Sequence, residues 1–329
     1  MNFKVMTWNV ENLFRPNTGA GPTSEDAYTA KLKTLADTIT KLNPDVVALQ
    51  EVGSPESFAD LKKAVGGKYT HGELSKHPDG RGIRVGYLSK LPLEHPKDIV
   101  DFAQNPSLSV NDTSGAPVKR MRRGALWIKV TVDGKPINII TAHLKSKLLE
   151  YPKAGGGTAF STDDENVRAQ VASLALAERT VEAFTLRISS NAIVAKGKKD
   201  ALILLGDLND VPEAATTQIL NGPEGSQFDT KGFDQEDKGD DARLFNLGNF
   251  IPADHRYSRI NHGVKELIDH IFVSEELVPF DSTGKKRVRP KVDSHPELQG
   301  GIESVGSDPN ARKNKPASDH APVVATFEF

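Results

Sequence analysis

Cysteine is absent from this chain, and methionines and aromatic side chains are few. The 329 residues include no cysteine, three methionines and 6% aromatic residues. The lack of cysteine excludes disulfide bonds, thiolate metal sites and cysteine nucleophiles. The low aromatic content argues against extensive stacking of bases along a single strand. No apolar run approaches the roughly 20 residues that span a bilayer, so we expect no membrane partner.

The chain also lacks a strong net charge, since its formal charge is −2 at pH 7. Such a protein has no bulk attraction for nucleic acids or anionic membranes, so any attraction has to be local. The strand-like segment from Phe3 to Thr7 follows Met1 so closely that a signal peptide has no room. We therefore expect a soluble, cytoplasmic monomer, although a leader removed beforehand would leave no trace in this sequence.

What the chain does contain is four short motifs that carry acids, amides and histidines. They are T-W-N-V-E-N-L-F near the N-terminus, L-Q-E-V at 49–52, G-D-L-N-D at 206–210 and S-D-H-A-P near the C-terminus. Each lies in or just after an apolar run typical of a buried strand, whose end the sheet holds rigidly. Six polar side chains can therefore converge on one point: Asn9, Glu51, Asp207, Asn209, Asp319 and His320.

Oxygen ligands accompanied by a histidine suit a divalent metal, Mg²⁺ or Mn²⁺, acting on a phosphate ester. Hydroxide attack on the anionic phosphate needs charge neutralisation, an oriented water and a stabilised leaving group. Glu51 is the best single ligand candidate, with Asn9 as a neutral oxygen donor. Asp207 and Asn209 point to the same side of extended backbone and could orient and deprotonate a water. The alternative for this motif alone is an Asx-rich turn.

Histidines add to this pattern at two further places. His143 ends the run I-N-I-I-T-A and precedes Lys145 and Lys147, a combination that suits an electropositive phosphate pocket. A lone histidine at a strand end is otherwise more often a structural hydrogen-bonding residue. Asp269 and His270 interrupt an apolar strand, and a polar pair in such a strand points to a site. In the terminal motif, the acid before the histidine could fix the ring in one tautomer.

Hydrophobic periodicity predicts alternating helices and strands. One helix carries Leu32, Leu35, Ile39 and Leu42 on one face and stops before Pro44. Further helices are predicted over 55–65, 164–186 and 213–220. Strands are predicted over 45–49, 83–89, 126–132, 137–141, 201–205, 267–273 and 323–329. Segments 148–163, 222–242 and 281–318 lack periodicity and are expected to be elaborated loops.

Together these residues resemble the endonuclease/exonuclease/phosphatase superfamily, which includes pancreatic-type deoxyribonucleases, exonuclease III-like repair enzymes, neutral sphingomyelinases and inositol polyphosphate 5-phosphatases. The resemblance, to a bacterial-type member, runs from T-W-N-V to S-D-H-A-P-V-V-A-T-F and so covers nearly the whole chain. It implies one domain over residues 1–329, an α/β fold built as a four-layer sandwich. In that fold two mixed β-sheets pack face to face, with helices on the outside.

The resemblance also implies a role for each matching residue. The metal-binding positions would be Asn9, Glu51 and Asp319, with Glu11 as an auxiliary acid beside them. The catalytic positions would be His143, Asp207, Asn209, Asp269 and His320, of which His143 resembles the deoxyribonuclease and sphingomyelinase branches. The phosphate-binding positions would be Arg123 and Lys145, with Arg122 an equal candidate for the place of Arg123. The division into general base and general acid stays open.

Three basic runs in loops next to the site motifs could give a nuclease the local positive surface that meets a phosphate backbone. They are 119–123, the pair Lys145 and Lys147, and 285–291, although a single such run is more often a solvated loop. The acidic segment 222–242 would repel a long polyanion if it lay near the cleft. Docking on a membrane would need an exposed aromatic-tipped loop, for which only the isolated Phe245 and Phe250 are candidates.

On balance the sequence favours a metal-dependent nuclease with little sequence preference, with nucleic acid as the substrate. The alternative is a phosphodiesterase or phosphatase for a small-molecule or lipid phosphate ester. A remote alternative is a catalytically inactive binding scaffold, which is disfavoured because the acids, amides and histidine of the four motifs are all present.

Overall fold

Two six-stranded mixed sheets dominate the computed structural model, which describes residues 2–104, 107–153, 157–194, 200–221 and 242–328. In spatial order, the first sheet consists of β17 (Lys291–Ser294), β18 (Val323–Glu328), β1 (Asn2–Leu13), β2 (Val46–Val52), β4 (Arg84–Ser89) and β3 (His71–Leu74). The second consists of β13 (Leu244–Asn246), β16 (Asp269–Ser274), β12 (Ala201–Asp207), β9 (Lys135–His143), β8 (Arg120–Val132) and β5 (Glu94–Asp101).

Three small hairpins lie outside the large sheets. They are β6 (Val110–Asn111) with β7 (Pro117–Val118), β10 (Tyr151–Pro152) with β11 (Thr158–Ala159), and β14 (Arg259–Asn261) with β15 (Val264–Glu266). The helices are α1 (Glu25–Leu42), α2 (Pro55–Ala64), α3 (Glu165–Val194) and α4 (Ala215–Gln218). The side chain of Ser24 caps α1, and Ser54 forms a capping box with Ser57 at the start of α2.

The buried side chains define four layers. Phe3, Tyr87, Ile128 and Ile139 belong to the apolar cluster between the two sheets. A second cluster packs Leu35, Ile39 and Leu61 of α1 and α2 against the outer face of the first sheet. A third packs Val181 and Leu186 of α3 against the outer face of the second sheet. The order is helices, sheet, sheet, helix, which confirms the predicted four-layer α/β sandwich.

The strand directions bring the polar motifs to one edge of the sandwich. β1 and β2 are parallel, and so are β9 and β12, so the carboxyl ends of each pair lie together. β16 is antiparallel to β12 and β18 is antiparallel to β1, so both begin at that edge. The register pairs Asp207 with His143 on one side and with Asp269 on the other.

Gly206 has a packing role that no other residue type could fill. Its φ is +148°, and a Cβ at this position would lie 2.0 Å from the carbonyl oxygen of Ala142. Because the obstruction is backbone of the adjacent strand, no side-chain rotation relieves it. The glycine of the G-D-L-N-D motif therefore lets β12 approach β9 immediately before Asp207.

Several predicted boundaries change in the structure. The helix predicted over 164–186 extends to Val194, and that over 213–220 shortens to Ala215–Gln218. β16 begins at Asp269, so Asp269 and His270 start the strand rather than interrupt it. The segment 148–163 contains the hairpin of β10 and β11, and 281–318 contains β17. Most of the acidic segment 222–242 lies outside the described residues. Among the described helices, none is both long and apolar enough to cross a bilayer.

We expect Gly206→Ala to destabilise the fold by about 1–3 kcal/mol, because the new methyl group collides with the Ala142 carbonyl. The measurement is the free energy of unfolding from urea titration. Gly67→Ala is the matched control, since a methyl group at that position would have no atom within 4 Å, and it should stay within roughly 1 kcal/mol of wild type. Equal stability of the two variants would contradict the close approach of β12 and β9.

Candidate active site

The polar motifs meet in a pocket at the edge where β1, β2, β9 and β12 end, with a volume of about 100 Å³. The predicted site residues that line it are Asn9, Glu11, Glu51, Arg123, His143, Asp207, Asn209, Asp319 and His320. The other two predicted residues lie outside it. Asp269 lies behind the pocket in contact with His320, while Lys145 lines neighbouring cavities instead.

The backbone at this edge is unusual. Four non-glycine residues here have left-handed conformations: Glu11 (φ 48°), Asn12 (φ 50°), Glu51 (φ 64°) and Asn209 (φ 54°). The β1–β2 ladder is also irregular between Asn9 and Leu13. Left-handed non-glycine residues are strained and collect at functional sites. The irregular backbone turns the side chains of the strand ends into the pocket.

Asn9 joins the two sheets at the centre of the site. Its Oδ1 accepts the backbone N–H of Glu11 at 2.9 Å, which fixes the direction of the amide. Its Nδ2 therefore faces two carboxylates, Glu51 Oε1 at 3.2 Å and Asp207 Oδ2 at 2.9 Å. The oxygen keeps a second lone pair, so the role of Asn9 as a neutral oxygen ligand stays a prediction. Its amide nitrogen in addition contacts both acids.

Asp207 is held from several directions. Its Oδ1 accepts the backbone N–H of Asn209 at 2.9 Å, and His143 Nε2 lies 3.3 Å from Oδ2. Burial, together with the carboxylate of Asp269, raises the pKa of Asp207 to about 6. Burial also lowers the pKa of His143 well below its usual range, and the Arg123 guanidinium adds to this effect. His143 is therefore neutral at pH 7, with its Nε2 next to the Asp207 carboxylate.

His320, unlike His143, is positively charged at pH 7. Its Nδ1 donates to Asp269 Oδ2 at 2.7 Å, and its Nε2 lies 3.9 Å from both Asp207 Oδ2 and Asp319 Oδ1. Burial alone would lower the pKa of His320, but the carboxylates of Asp269, Asp319 and Asp207 raise it to about 10. The ring is thus an imidazolium held by Asp269. His270, which follows Asp269 in β16, points away from the pocket, and its Nε2 hydrogen-bonds to the carbonyl oxygen of Asp210.

Glu11 anchors the terminal motif. Its Oε2 accepts the backbone N–H of Asp319 at 3.0 Å, and its Oε1 accepts Arg312 Nε at 2.9 Å. Burial and the Asp319 carboxylate raise the pKa of Glu11 to about 7. Asp319 shows the reverse: burial would raise its pKa, but the charges of His320, Arg259 and Arg312 lower it below its usual value. Arg312 was not singled out from the sequence, where it lies in a segment without periodicity.

Besides Arg312, three more arginines line the pocket around these acids. Arg123 is buried, and its Nη1 donates to the carbonyl oxygen of Leu144 at 2.8 Å. Arg81 and Arg259 also line the pocket, and their ion pairs with Asp79 and Asp319 are long, at 3.6 and 3.5 Å. The guanidinium groups of Arg81 and Arg259 therefore retain N–H donors with which to bind an anion. Sequence reasoning missed these two residues because each is a single arginine on a loop or a small hairpin.

The lysines after β9 do not enter the pocket. Lys147 Nζ lies 3.0 Å from Asp210 Oδ1 and 3.6 Å from Glu266 Oε1. Lys145 lies in two cavities next to the pocket, and burial lowers its pKa to about 8. Lys145 therefore lies beside the pocket, and its predicted contact with a phosphate stays a prediction. Of the two arginine candidates, Arg123 lines the pocket, while Arg122 makes a two-bond contact with Glu178 of α3.

The expectation that the basic run 285–291 lies next to the site is wrong. β17 pairs Lys291 with Thr326, near the end of β18 that is remote from His320. Arg287 bonds Glu275, which follows the far end of β16, and stacks on Phe245 and Phe280. This run therefore lies at the opposite edge of the sandwich. Phe245 is buried there, so it offers nothing to a membrane.

The donor set fits a divalent metal. Mg²⁺ binds through one or two carboxylates and keeps several waters, and Glu51, Asp207 and Asp319 all line one small pocket. Asp207, Asp269 and His320 also each bring a ligand atom within 4.8 Å of one another, so this buried group could bind a metal. In that group, however, the 2.7 Å bond already uses His320 Nδ1 and Asp269 Oδ2.

Comparisons with known proteins agree with this geometry. The chain is 25% identical over 185 residues to tyrosyl-DNA phosphodiesterase 2 of Bos taurus, a match that covers 51% of this chain and 43% of the relative. The chain thus matches less than half of the length of this curated relative.

Solved structures share the fold. A humanised D. rerio TDP2 is 18% identical, with a TM-score of 0.55 and coverage of 100% of this chain and 99% of that one. The human nocturnin catalytic domain is 16% identical, with a TM-score of 0.55 and coverage of 100% and 94%. At these identities the likeness concerns the fold alone.

The family comparison covers nearly the whole chain. The endonuclease/exonuclease/phosphatase family model matches residues 6–320, a span that includes every residue of the pocket. Members of this family are hydrolases of phosphodiester bonds that depend on a divalent metal. The chain therefore belongs to the endonuclease/exonuclease/phosphatase family.

Proposed function

We propose that this protein is a nuclease with little sequence preference, hydrolysing phosphodiester bonds of nucleic acid with Mg²⁺ or Mn²⁺. The observation that carries the proposal is the meeting of Asp207, a cationic His320 and four arginines in one pocket. A base, an acid and anion-binding groups are what displacement at a phosphate requires. An inactive scaffold would have no use for these buried charges, which cost stability.

Glu51 and Asp319 are the residues that would hold the metal. When bound, the ion would neutralise the phosphate charge, lower the pKa of water and stabilise the leaving oxygen. Glu51 is kept in place from both sides, since its Oε2 accepts the backbone N–H of Asn12 at 2.9 Å and its Oε1 accepts the Asn9 amide. Asp207 and the Asp269–His320 pair then remain available to handle protons.

Asp207 is the proposed general base. The Asn9 amide and the neutral ring of His143 hold its carboxylate in one orientation, and Asn209 beside it lines the pocket. A water between Asp207 and the phosphate would lose its proton to this carboxylate. His320, held by Asp269 at Nδ1, presents its Nε2–H to the same space and would donate to a phosphate oxygen or to the leaving oxygen.

The exposed surface favours nucleic acid over lipid. In the ranges that the structure describes, the large exposed apolar side chains are Leu108, Leu176, Val264 and Val288, none of them aromatic. A lipid hydrolase is expected to expose an apolar, aromatic-bearing loop that docks on the bilayer. The arginines around the pocket suit an anionic backbone instead. Hydrolysis of a small-molecule diester remains the second candidate, because the pocket itself is small.

The test of the function is Mg²⁺-dependent cleavage of supercoiled plasmid DNA. We expect Asp207→Asn to lower the rate by roughly 10²–10⁴-fold, because the base that accepts the proton is lost. Asp37→Asn on the exposed face of α1 makes the same chemical change away from the site and should cleave like wild type. The unfolding midpoint of each variant shows whether the fold is intact.

Two outcomes would change the proposal. Cleavage by Asp207→Asn at the wild-type rate would remove Asp207 from the catalytic group. If wild type leaves DNA intact but hydrolyses bis(p-nitrophenyl) phosphate when metal is added, the substrate is a small diester and not nucleic acid.

Glu51→Gln should raise the metal concentration needed for half-maximal activity by roughly 10–100-fold, because a carboxylate ligand is replaced by a neutral one. The maximal rate at saturating metal should fall less. The measurement is a Mg²⁺ titration of activity, with metal binding followed separately by calorimetry. An unchanged titration in both experiments would exclude Glu51 from the ligand set.

Asp269→Asn should lower kcat by roughly 10²–10⁴-fold, with little change in KM, because His320 loses the carboxylate that orients and charges it. The measurement is steady-state kinetics on bis(p-nitrophenyl) phosphate. The NMR titration of His320 is a second readout, and its pKa should fall in the variant. A wild-type pKa together with wild-type kcat would show that Asp269 does not act on His320.

A further inference from the structure

A second cavity, of about 610 Å³, opens beside the active-site pocket. The two share five lining residues, among them Arg81, Arg123 and Ser146, so they form one continuous depression. We call the second cavity the arginine groove. Its walls are the first four residues of β8 (120–123), the loop 77–81, and Thr158 and Phe160 at the second strand of a small hairpin. Its volume is in the range of sites that take small-molecule ligands.

The arginine groove carries more positive than negative charge. Its basic residues are Arg81, Arg120, Arg122, Arg123 and Lys145, and its acids are Asp79 and Glu150. Arg122 is neutralised by Glu178, but Arg120 is paired only with Asp101, and both side chains of that pair are exposed. Such exposed pairs are weak and exchange readily for another anion. Across the described residues, no carboxylate makes an ion pair with Lys145.

The basic residues are held by the fold. Glu182 of α3 is fully buried, and its two oxygens accept the backbone N–H groups of Arg122 and Lys145 at 3.1 and 2.5 Å. One acid thus ties the start of β8 to the segment that follows β9. Because Glu182 accepts from backbone donors, it does not occupy either side chain. The Arg122 side chain bonds Glu178, and Lys145 Nζ makes only long contacts, at 3.4 Å, with the carbonyl oxygens of Ser146 and Leu148.

Phe160 gives the arginine groove an aromatic side chain. It is half-buried and lines the cavity that the basic residues also line. A flat aromatic ring near cations is the combination with which proteins bind a base together with its phosphate. A lipid headgroup or inorganic phosphate would use the cations but gain nothing from the ring. This argues for a nucleic-acid strand as the occupant.

We propose that the arginine groove binds the nucleotide next to the scissile phosphodiester, with its phosphate on Arg120 and Lys145 and its base against Phe160. This inference rests on the proposed nuclease function and adds the side from which the strand enters the pocket. The preferred substrate is then a nucleic-acid strand that continues past the cleaved bond into the groove, and an isolated diester binds more weakly.

The experiment compares a short single-stranded oligonucleotide with bis(p-nitrophenyl) phosphate, using the full chain with Mg²⁺. We expect Arg120→Ala and Phe160→Ala each to lower kcat/KM for the oligonucleotide about tenfold more than for the small diester. Arg120→Ala should also make the salt dependence of oligonucleotide binding shallower by about 0.7–1 in log–log slope. Lys286→Ala is the matched control, because it removes an exposed cation at the opposite edge of the sandwich.

Binding without turnover gives a second readout, through the fluorescence anisotropy of a labelled oligonucleotide in EDTA. Weaker binding by both groove variants, with wild-type binding by Lys286→Ala, supports the proposed nucleotide binding in the arginine groove. Equal losses on both substrates, or binding unaffected by either variant, would overturn it. The proposal would also be overturned if vesicles of anionic lipid competed for binding and unlabelled oligonucleotide did not. Failure of the nuclease function is distinguishable, since wild type would then leave the oligonucleotide intact while it hydrolyses the small diester.

Discussion

The amide group of Asn9 is the contact on which the site depends. It donates to Glu51 of the first sheet and to Asp207 of the second, while a backbone N–H fixes its oxygen. Two carboxylates that approach each other in a partly buried pocket repel by several kcal/mol at an effective dielectric constant of about 20. A shared donor offsets this repulsion and sets their spacing. The spacing of Glu51 and Asp207 therefore follows from one side chain at the junction of the sheets.

Residues of the same type take different charge states because their surroundings differ. His143 is buried next to Arg123, which keeps it neutral, whereas His320 is surrounded by three carboxylates, which keep it protonated. Asp207 has a raised pKa and Asp319 a lowered one. One histidine is then uncharged at pH 7, and the other carries a proton that it can donate. These environments support the acid and base roles that we propose for His320 and Asp207.

The sequence predicted which residues meet at the site, but not the contacts that they make with one another. The motifs at strand ends could be located because polar residues interrupt apolar runs, and parallel strands carry their ends to one edge. The direction of the Asn9 amide depends on the left-handed backbone at Glu11, which no periodicity reveals. Arg81, Arg259 and Arg312 lie on loops or small hairpins, whose positions depend on tertiary contacts. The prediction that the run 285–291 lies next to the site was wrong for the same reason, since only the register of β17 shows where the run lies.

The two edges of the sandwich have opposite effects on the stability of the fold. At the active edge, strained backbone and buried like charges lower the stability of the fold. At the opposite edge, Arg287 is buried between two aromatic rings and bonded to Glu275, a contact that adds stability and needs no ligand. In the arginine groove, by contrast, Arg120 is exposed and only weakly paired. Basic residues become available to a polyanion only where the fold does not already use their charge, and on that condition the proposed binding is compatible with a net charge of −2.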